Sequence, residues 1–491
     1  MGIMAARILH KLRRCTWLSA GLLGAPALLI AGCTVGPDYH PTKMETELPA
    51  GWDGTAVAVP AQTSVATTET PQLIEWWGVL NDPKLTQLVT DALKANLDLR
   101  TAVAALWQAR ATRNVTASAF WPTVNGTGSY TRSATGRGAG GTGRAGDFFQ
   151  AGLDATWELD IFGGVRRNIE SADANIDAAV WNLRDVLITV AAEVATDYAD
   201  LRAFQQRIQI ARDNLKAQRN TAELTHQKFQ GGLATNLDVA NADALVATTE
   251  ASIPSLEISE RQTIYALSVL LARPPAALKE ELSVPGPIPQ APAQVPVGLP
   301  SALLERRPDV RQSEALVHAA TAQIGVAVSA WYPQFSLTGA FGYESDRARS
   351  LLRSSNSLWS LGPSVTWPIF TAGRIEANVK VQEAAQEQAF LAYQKAVLGA
   401  LQDVENSLVA FALEQQHRQL LDQAVKANTK SVDLATQLCK QGLTDFLNVI
   451  VAEQALLSSQ DALAQSNLAI ATDLISLYKA LGGGWEVKPQ S

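Results

Sequence analysis

The chain has 491 residues, 47% of them hydrophobic and 18% charged, with 40 basic and 47 acidic side chains. A charge fraction below the globular average of about a quarter excludes a disordered, heavily solvated chain, and the net charge of −7 argues against nucleic acid as a partner. Five His and three Cys leave little material for a metal cluster or a disulfide framework.

Residues 1–32 read as a secretory signal. Arg7, Lys11, Arg13 and Arg14 precede an apolar run over residues 17–30, too short to span a bilayer comfortably. The run ends in Leu29-Ile30-Ala31-Gly32-Cys33, which resembles the bacterial lipoprotein cleavage box. The resemblance implies that the Cys33 thiol is acylated, and that Thr34, standing where an Asp would retain the protein at the inner membrane, sends it to the outer one. Loss of residues 1–32 leaves 36 basic against 47 acidic side chains, a net charge of −11. Cys439 is then the only cysteine besides Cys33, so packing alone must hold the exported fold.

The rest of the chain repeats itself at an offset near 210 residues. Asn96-Leu97-Asp98-Leu99-Arg100 matches Arg307-Pro308-Asp309-Val310-Arg311, and Phe120-Trp121-Pro122 matches Trp331-Tyr332-Pro333. Trp157, Ile161, Phe162 and Arg166 match Trp367, Ile369, Phe370 and Arg374 with a two-residue gap. Gly232-Leu233 and Leu237-Asp238-Val239 match Gly442-Leu443 and Leu447-Asn448-Val449. Residues 33–82 form an anchored, extended segment, 83–283 the first repeat, 284–300 a Pro-rich linker, 301–481 the second repeat and 482–491 a tail.

Each repeat should contain a helix, two strands and long helices. In the first, Phe149, Ala151, Leu153, Ala155 and Trp157 alternate with polar or small residues, whereas residues 124–130 carry glycines where apolar side chains would stand. In the second, Phe335, Leu337, Gly339, Phe341 and Tyr343 alternate, as do Trp359, Leu361, Pro363, Val365 and Trp367. Runs of about ten residues flanked by aromatics match tilted membrane strands; alternation alone favours a soluble sandwich, and the lipoprotein signal reverses that preference. From residue 165 to 230 there is neither Gly nor Pro, and Leu183, Leu187, Val190, Val194, Leu201, Ile208, Ala211, Leu215 and Ala222 mark a coiled-coil seam broken by Asp197 and Gln218. Residues 374–441 repeat it, interrupted by Gly399. Four strands cannot close a membrane barrel, because open edges in lipid leave backbone groups unpaired. The chain must therefore oligomerise, and three copies would supply twelve strands.

With the repeats in place, the Arg306-Arg307-Pro308-Asp309-Val310 segment, the Ile324-Gly325-Val326-Ala327 run and the Leu481-Gly482-Gly483-Gly484-Trp485 ending resemble the TolC-type outer membrane factors. Cys33 and Gly36-Pro37-Asp38-Tyr39 point to the lipoprotein branch, similar to OprM and the NodT-type efflux lipoproteins. The resemblance implies an α+β membrane protein: a homotrimer with a 12-stranded outer-membrane β-barrel and a periplasmic α-barrel of coiled-coil helices. It also implies docking to a periplasmic adaptor and an inner-membrane pump of the resistance-nodulation-division class, for export of drugs or other small molecules without a cofactor. Protein secretion, metal efflux and a bridging lipoprotein without a pore are the alternatives. In the family the two helix-to-helix turns, here near Gly232 and Gly442, form a gated tip. Asp238 aligns with an acidic tip residue, though it equally fits a helix-start acid favoured by the dipole. The second repeat departs from the family's charged links: Thr444, Asn448 and Val451 replace charged residues, and Asp445 is the acid left to substitute for them. Packing of Leu443, Phe446 and Leu447 is expected to hold the tip instead.

No catalytic constellation is present: there is no zinc-spaced His-Glu pair, no nucleophile elbow and no phosphate loop. The glycine-rich stretch at 136–146 reads as an external loop, with residues 345–357 as its counterpart. Arg132, Arg137, Arg144, Arg347, Arg349 and Arg353 would face lipid headgroups, the pore mouth or solvent. His226, His318 and His417 read as isolated surface residues, and Cys439 as a small packing residue.

Overall fold

The computed structural model describes residues 34–41, 49–56, 64–69, 73–134, 145–301 and 306–486, so the expected signal segment and the expected acylation site at Cys33 lie outside the described residues. In chain order these residues form β1 (Val65–Thr67), α1 (Pro83–Ala95), α2 (Leu97–Ser118), β2 (Thr123–Ala134), β3 (Ala145–Leu159), α3 (Gly164–Gln230), α4 (Asn236–Leu270) and α5 (Lys279–Leu282). They continue with β4 (Gln294–Pro296), α6 (Pro308–Ser329), β5 (Gln334–Ser345), β6 (Ser357–Thr366), α7 (Arg374–Lys440) and α8 (Phe446–Ala480).

The duplication is carried into the elements. Helices α2 and α6 have 22 residues each, β2 and β5 12 each, α3 and α7 67 each, and α4 and α8 35 each. At about 1.5 Å per residue, α3 and α7 are each about 100 Å long. One landmark shifts: Gly163 and Gly373, both with positive φ (79° and 83°), stand at the entries to α3 and α7. Arg374 therefore matches Gly164, and the Arg166–Arg374 match made in sequence is corrected by the backbone conformation that only glycine adopts readily. Gly399 continues α7, with open space where a side chain would be. Pro254 likewise lies within α4 without ending it.

The chain divides into two compact units, and each draws on both repeats. The first contains the strands: Thr116–Ile169 and Ala322–Val381, with residues 34–38. Its sheet is an antiparallel meander in the order β2-β3-β5-β6. The N-terminal chain is built into this unit. Val35 N–H donates to the Phe162 carbonyl (3.2 Å), and Arg167 donates from Nε to the Val35 carbonyl (3.1 Å). A Cβ at Gly36 would run into the Cα of Gly325, so the two backbones cross where neither residue has a side chain.

The second unit is helical, with β1 and β4 paired in parallel. Its core gathers Tyr198 and Leu201 of α3, Ile264 and Leu267 of α4, Val397, Val404 and Leu408 of α7, and Leu474 and Leu477 of α8. The expected seam on α3 is largely this core and its extension: Val190, Val194, Leu201, Ile208, Ala211, Leu215 and Ala222 are all buried. The stretch ahead of α1, expected as extended chain, contributes Trp52, Leu73, Trp76 and Trp77, and Trp76 stacks on Tyr478 at 5.4 Å between centroids. Isolated tryptophans have no periodicity, so sequence pattern could not place them.

Candidate functional site

Two regions carry functional geometry: the sheet and the pair of helix hairpins. The register of the sheet puts all alternating apolar positions on one face. Leu153 pairs with Phe341 and Phe341 with Trp359; Ala155 pairs with Gly339 and Gly339 with Leu361. The glycine-rich strand β2 joins in register, with Val124 opposite Ala155 and Gly126 opposite Leu153. This face is not a core, since Trp359 is 75% and Leu361 69% exposed. The opposite face is polar: Asn125 donates to Asp154 (3.2 Å), and the Ser336 and Ser364 hydroxyls are 2.7 Å apart. A sheet with a bare apolar face and a polar face has the pattern of a membrane strand set lining an aqueous lumen. Aromatics fix its ends alike in both repeats. Trp157 Nε1 donates to the Phe120 carbonyl (3.0 Å), and Trp367 Nε1 to that of Trp331 (3.1 Å). Among the described residues, strands β2 and β6 are the edges, each paired on one side only.

Two of the arginines expected in the external loops have local partners. Arg132 pairs with Asp147 (3.4 Å) and Arg347 with Asp346 (3.8 Å); Arg137 and Arg144 lie outside the described residues.

The hairpin turns repeat one design. In the first, Gly232 N–H donates to the Phe229 carbonyl and Leu233 N–H to that of Lys228; in the second, Gly442 N–H donates to the Cys439 carbonyl and Leu443 N–H to that of Leu438. Each is a Schellman ending with its glycine in the left-handed region, φ 72° at Gly232 and 76° at Gly442. The turns then differ in how the return helix starts. Thr235 and Asp238 close a capping box: Asp238 Oδ2 accepts from Thr235 N–H (2.8 Å), and Thr235 Oγ1 accepts from Asp238 N–H (3.2 Å). At the same point of the second turn Asp445 is the N-cap, but its side chain makes no cap hydrogen bond. Asn448 instead donates through Nδ2 to Thr444 Oγ1 (2.7 Å).

Near the turns the four long helices share an apolar cluster of Ala222, Ala242, Cys439, Phe446, Val449 and Ile450. Cys439 is thus a packing residue, although Lys228 Nζ donates to its carbonyl at 2.8 Å and lies 3.6 Å from its Sγ. Of the three residues expected to pack the tip, Phe446 is buried, while Leu443 and Leu447 stay exposed beside Leu233 and Leu237. The histidines are not isolated: His226 sits 3.0 Å from Asp243, His318 3.1 Å from Glu170 and His417 3.0 Å from Glu414. The carboxylates with displaced titration lie along the helices, where sequence pattern marked only Asp197. Burial, with Asp200 and Glu193 nearby, pushes Asp197 up to about 6, and burial with Glu414 does the same to Asp473.

Comparison with known proteins agrees with this geometry. The family model described as outer membrane efflux protein matches residues 88–273 and 299–483, one match per repeat. Nodulation protein T of Rhizobium leguminosarum bv. trifolii is 30% identical over 459 residues, covering 94% of this chain and 96% of that protein. The probable efflux pump outer membrane protein TtgC of Pseudomonas putida is 31% identical over 469 residues, 94% of this chain and 95% of its own. Among solved structures, the outer-membrane channel OprN superposes with a TM-score of 0.82 at 34% identity, covering 92% of this chain and 100% of that one.

Proposed function

The chain belongs to the outer membrane efflux protein family, and from that premise we propose that three copies form one conduit that passively conducts drugs or other small molecules across the outer membrane. Membership makes it an outer-membrane channel of an efflux system, in a family of transporters and not of enzymes. One observation supports the trimer above others: the four-stranded sheet bares an apolar face while both edge strands lack outer neighbours. In lipid such edges are costly. Strands β2 and β6 run antiparallel in an even-numbered meander, so β6 of one copy can pair with β2 of the next and continue the pattern until the ring closes. Three copies bring twelve strands, above the roughly eight needed for a barrel. On α7, Leu391 and Leu398, and then Leu413 and Leu420, stand exposed at heptad spacing, which suits packing against a neighbouring copy.

In this reading Cys33 carries the lipid anchor, and the turns at Gly232 and Gly442, with Asp238, Asp445 and Asn448, form the periplasmic gate. A periplasmic adaptor and an inner-membrane pump, of the resistance-nodulation-division class, supply the energy and the choice of cargo. Native mass spectrometry of the detergent-extracted protein tests the assembly. Three copies are expected, and a monomer or dimer as the largest species in protein extracted from the outer membrane contradicts it.

A further inference from the structure

The apolar cluster beneath the turns gives way, one helical turn farther along three of its helices, to buried polar side chains. Gln218 precedes Ala222 by four residues and is 2% exposed, Thr249 follows Val246 by three and is 2% exposed, and Glu453 follows Ile450 by three and is 5% exposed. Thr221 Oγ1 donates to Glu453 Oε1 at 2.7 Å. The remaining oxygen of Glu453, both amide atoms of Gln218 and the Thr249 hydroxyl have no partner among the described residues. Apolar side chains of similar size would pack these positions better, and a half-satisfied polar layer weakens whatever it holds together. Unpaired burial costs free energy, so such a layer favours any state in which its members reach water. Farther from the turns, the first and second hairpins are joined by Asn214 donating to Gln460 (2.6 Å) and by the Arg207–Asp461 ion pair (2.6 Å). The polar layer thus lies between these links and the apolar cluster at the turns.

We propose that this buried polar layer is the parting plane of the tip, and that the proton on Glu453 sets how readily the first hairpin separates from the second. The proposal rests on reading the turns as a gate. Burial raises the Glu453 carboxyl above its ordinary range, against the opposing bond from Thr221. When the hairpins part, water restores the ordinary value. The packed state therefore gains from a protonated Glu453 in acid and loses that gain as the pH rises through the raised value. The other titratable groups at this level are otherwise engaged or exposed. Arg219 pairs with Glu250 and His226 with Asp243 on the surface, Lys430 and Asp433 of α7 are exposed, and Lys228 is bound to the Cys439 carbonyl. Burial and the Thr221 bond are the two causes of the shift in Glu453, so none of these groups governs it.

Cys439 is a built-in reporter, because its buried thiol sits in the adjoining cluster and reacts only when the helices part. The test is alkylation of Cys439 by N-ethylmaleimide in the full-length, detergent-extracted protein between pH 5 and 8, read by mass spectrometry. The rise in thiolate with pH is common to all variants, so the ratio of rates carries the answer. The ratio of the wild-type rate to that of Glu453→Gln should be smallest at pH 5 and rise severalfold by pH 8. Thr221→Val, which removes the bond that lowers the carboxyl, should move the rise in rate to higher pH; it decides the matter alone if Glu453→Gln does not fold. A wild-type to Glu453→Gln ratio that stays flat with pH, or a Thr221→Val profile superposing on wild type, overturns the proposal. Alkylation reads helix separation and not ion flow, so this failure is distinct from the absence of a pore.

Discussion

The aspartates of the two hairpin turns hold different positions and behave differently, Asp238 standing at the third residue of its helix and Asp445 at the N-cap. Asp238 spends its carboxylate on its own helix start, where it bonds Thr235 through both backbone and hydroxyl. Asp445 caps with its backbone alone. Removing a working cap costs about 1 kcal/mol, so Asp238→Ala should lower the thermal midpoint, while Asp445→Ala should leave it within error; equal losses would show that the capping box does not hold the first turn. The acid at 238 is legible in the sequence, and so is its alternative as a helix-start residue. What pattern could not supply is the reciprocal bond, which depends on the turn's conformation. Asp197 gives the pH-dependent counterpart. A carboxyl raised to about 6 in the fold from an ordinary 3.8 contributes stability only while protonated, and that contribution is lost as pH climbs through about 6. Asp197→Asn should therefore stabilise the protein by roughly 1–2 kcal/mol at pH 7.5, after discounting for partial exposure, and by nothing below about pH 4. Melts of the two proteins at both pH values check the sign; a gain that persists in acid would place the effect in packing instead of charge.

Among the elements, strands β3, β5 and β6 were legible because alternation with a period of two survives any environment that wets one face differently from the other. Strand β2 was faint because Gly126 and Gly128 take apolar positions in its register. The neighbouring strand compensates, since twelve consecutive residues of β2 pair with β3. The two faces predict opposite tolerances. Leu361→Lys puts a charge on the apolar face, where burial in lipid costs about 2–4 kcal/mol at mid-depth. Ser360→Lys puts the same charge on the polar face one residue away. The first should abolish recovery from the outer-membrane fraction and the second should not; equal recovery would make the bare apolar face something other than a lipid surface. The long helices were legible from the absence of breakers over residues 165–230, and their starts lie within one residue of those read from the sequence. The Arg166–Arg374 match failed because positive φ at Gly163 and Gly373, not side-chain likeness, fixes where α3 and α7 begin. Pro254, a residue type that usually ends a helix, is carried through by a 35-residue element.

At the scale of the whole molecule, duplication is what makes one chain insufficient. Two copies of a strand-strand-helix-helix unit yield a meander of four strands, a sheet that neither closes nor covers its apolar face. The same duplication places two hairpin turns in one chain, one with a capping box and one without. The repeat and its breaks could be read directly from Gly232, Gly442 and the paired aromatics. The division into units that each draw on both repeats could not, because it arises from strands of one repeat pairing with strands of the other, as β3 does with β5. Conduction is the property that these features jointly require. Planar-bilayer recording from the purified acylated protein tests it most directly. Discrete, uniform current steps are the predicted result, and silent bilayers containing fully inserted trimers would contradict the channel.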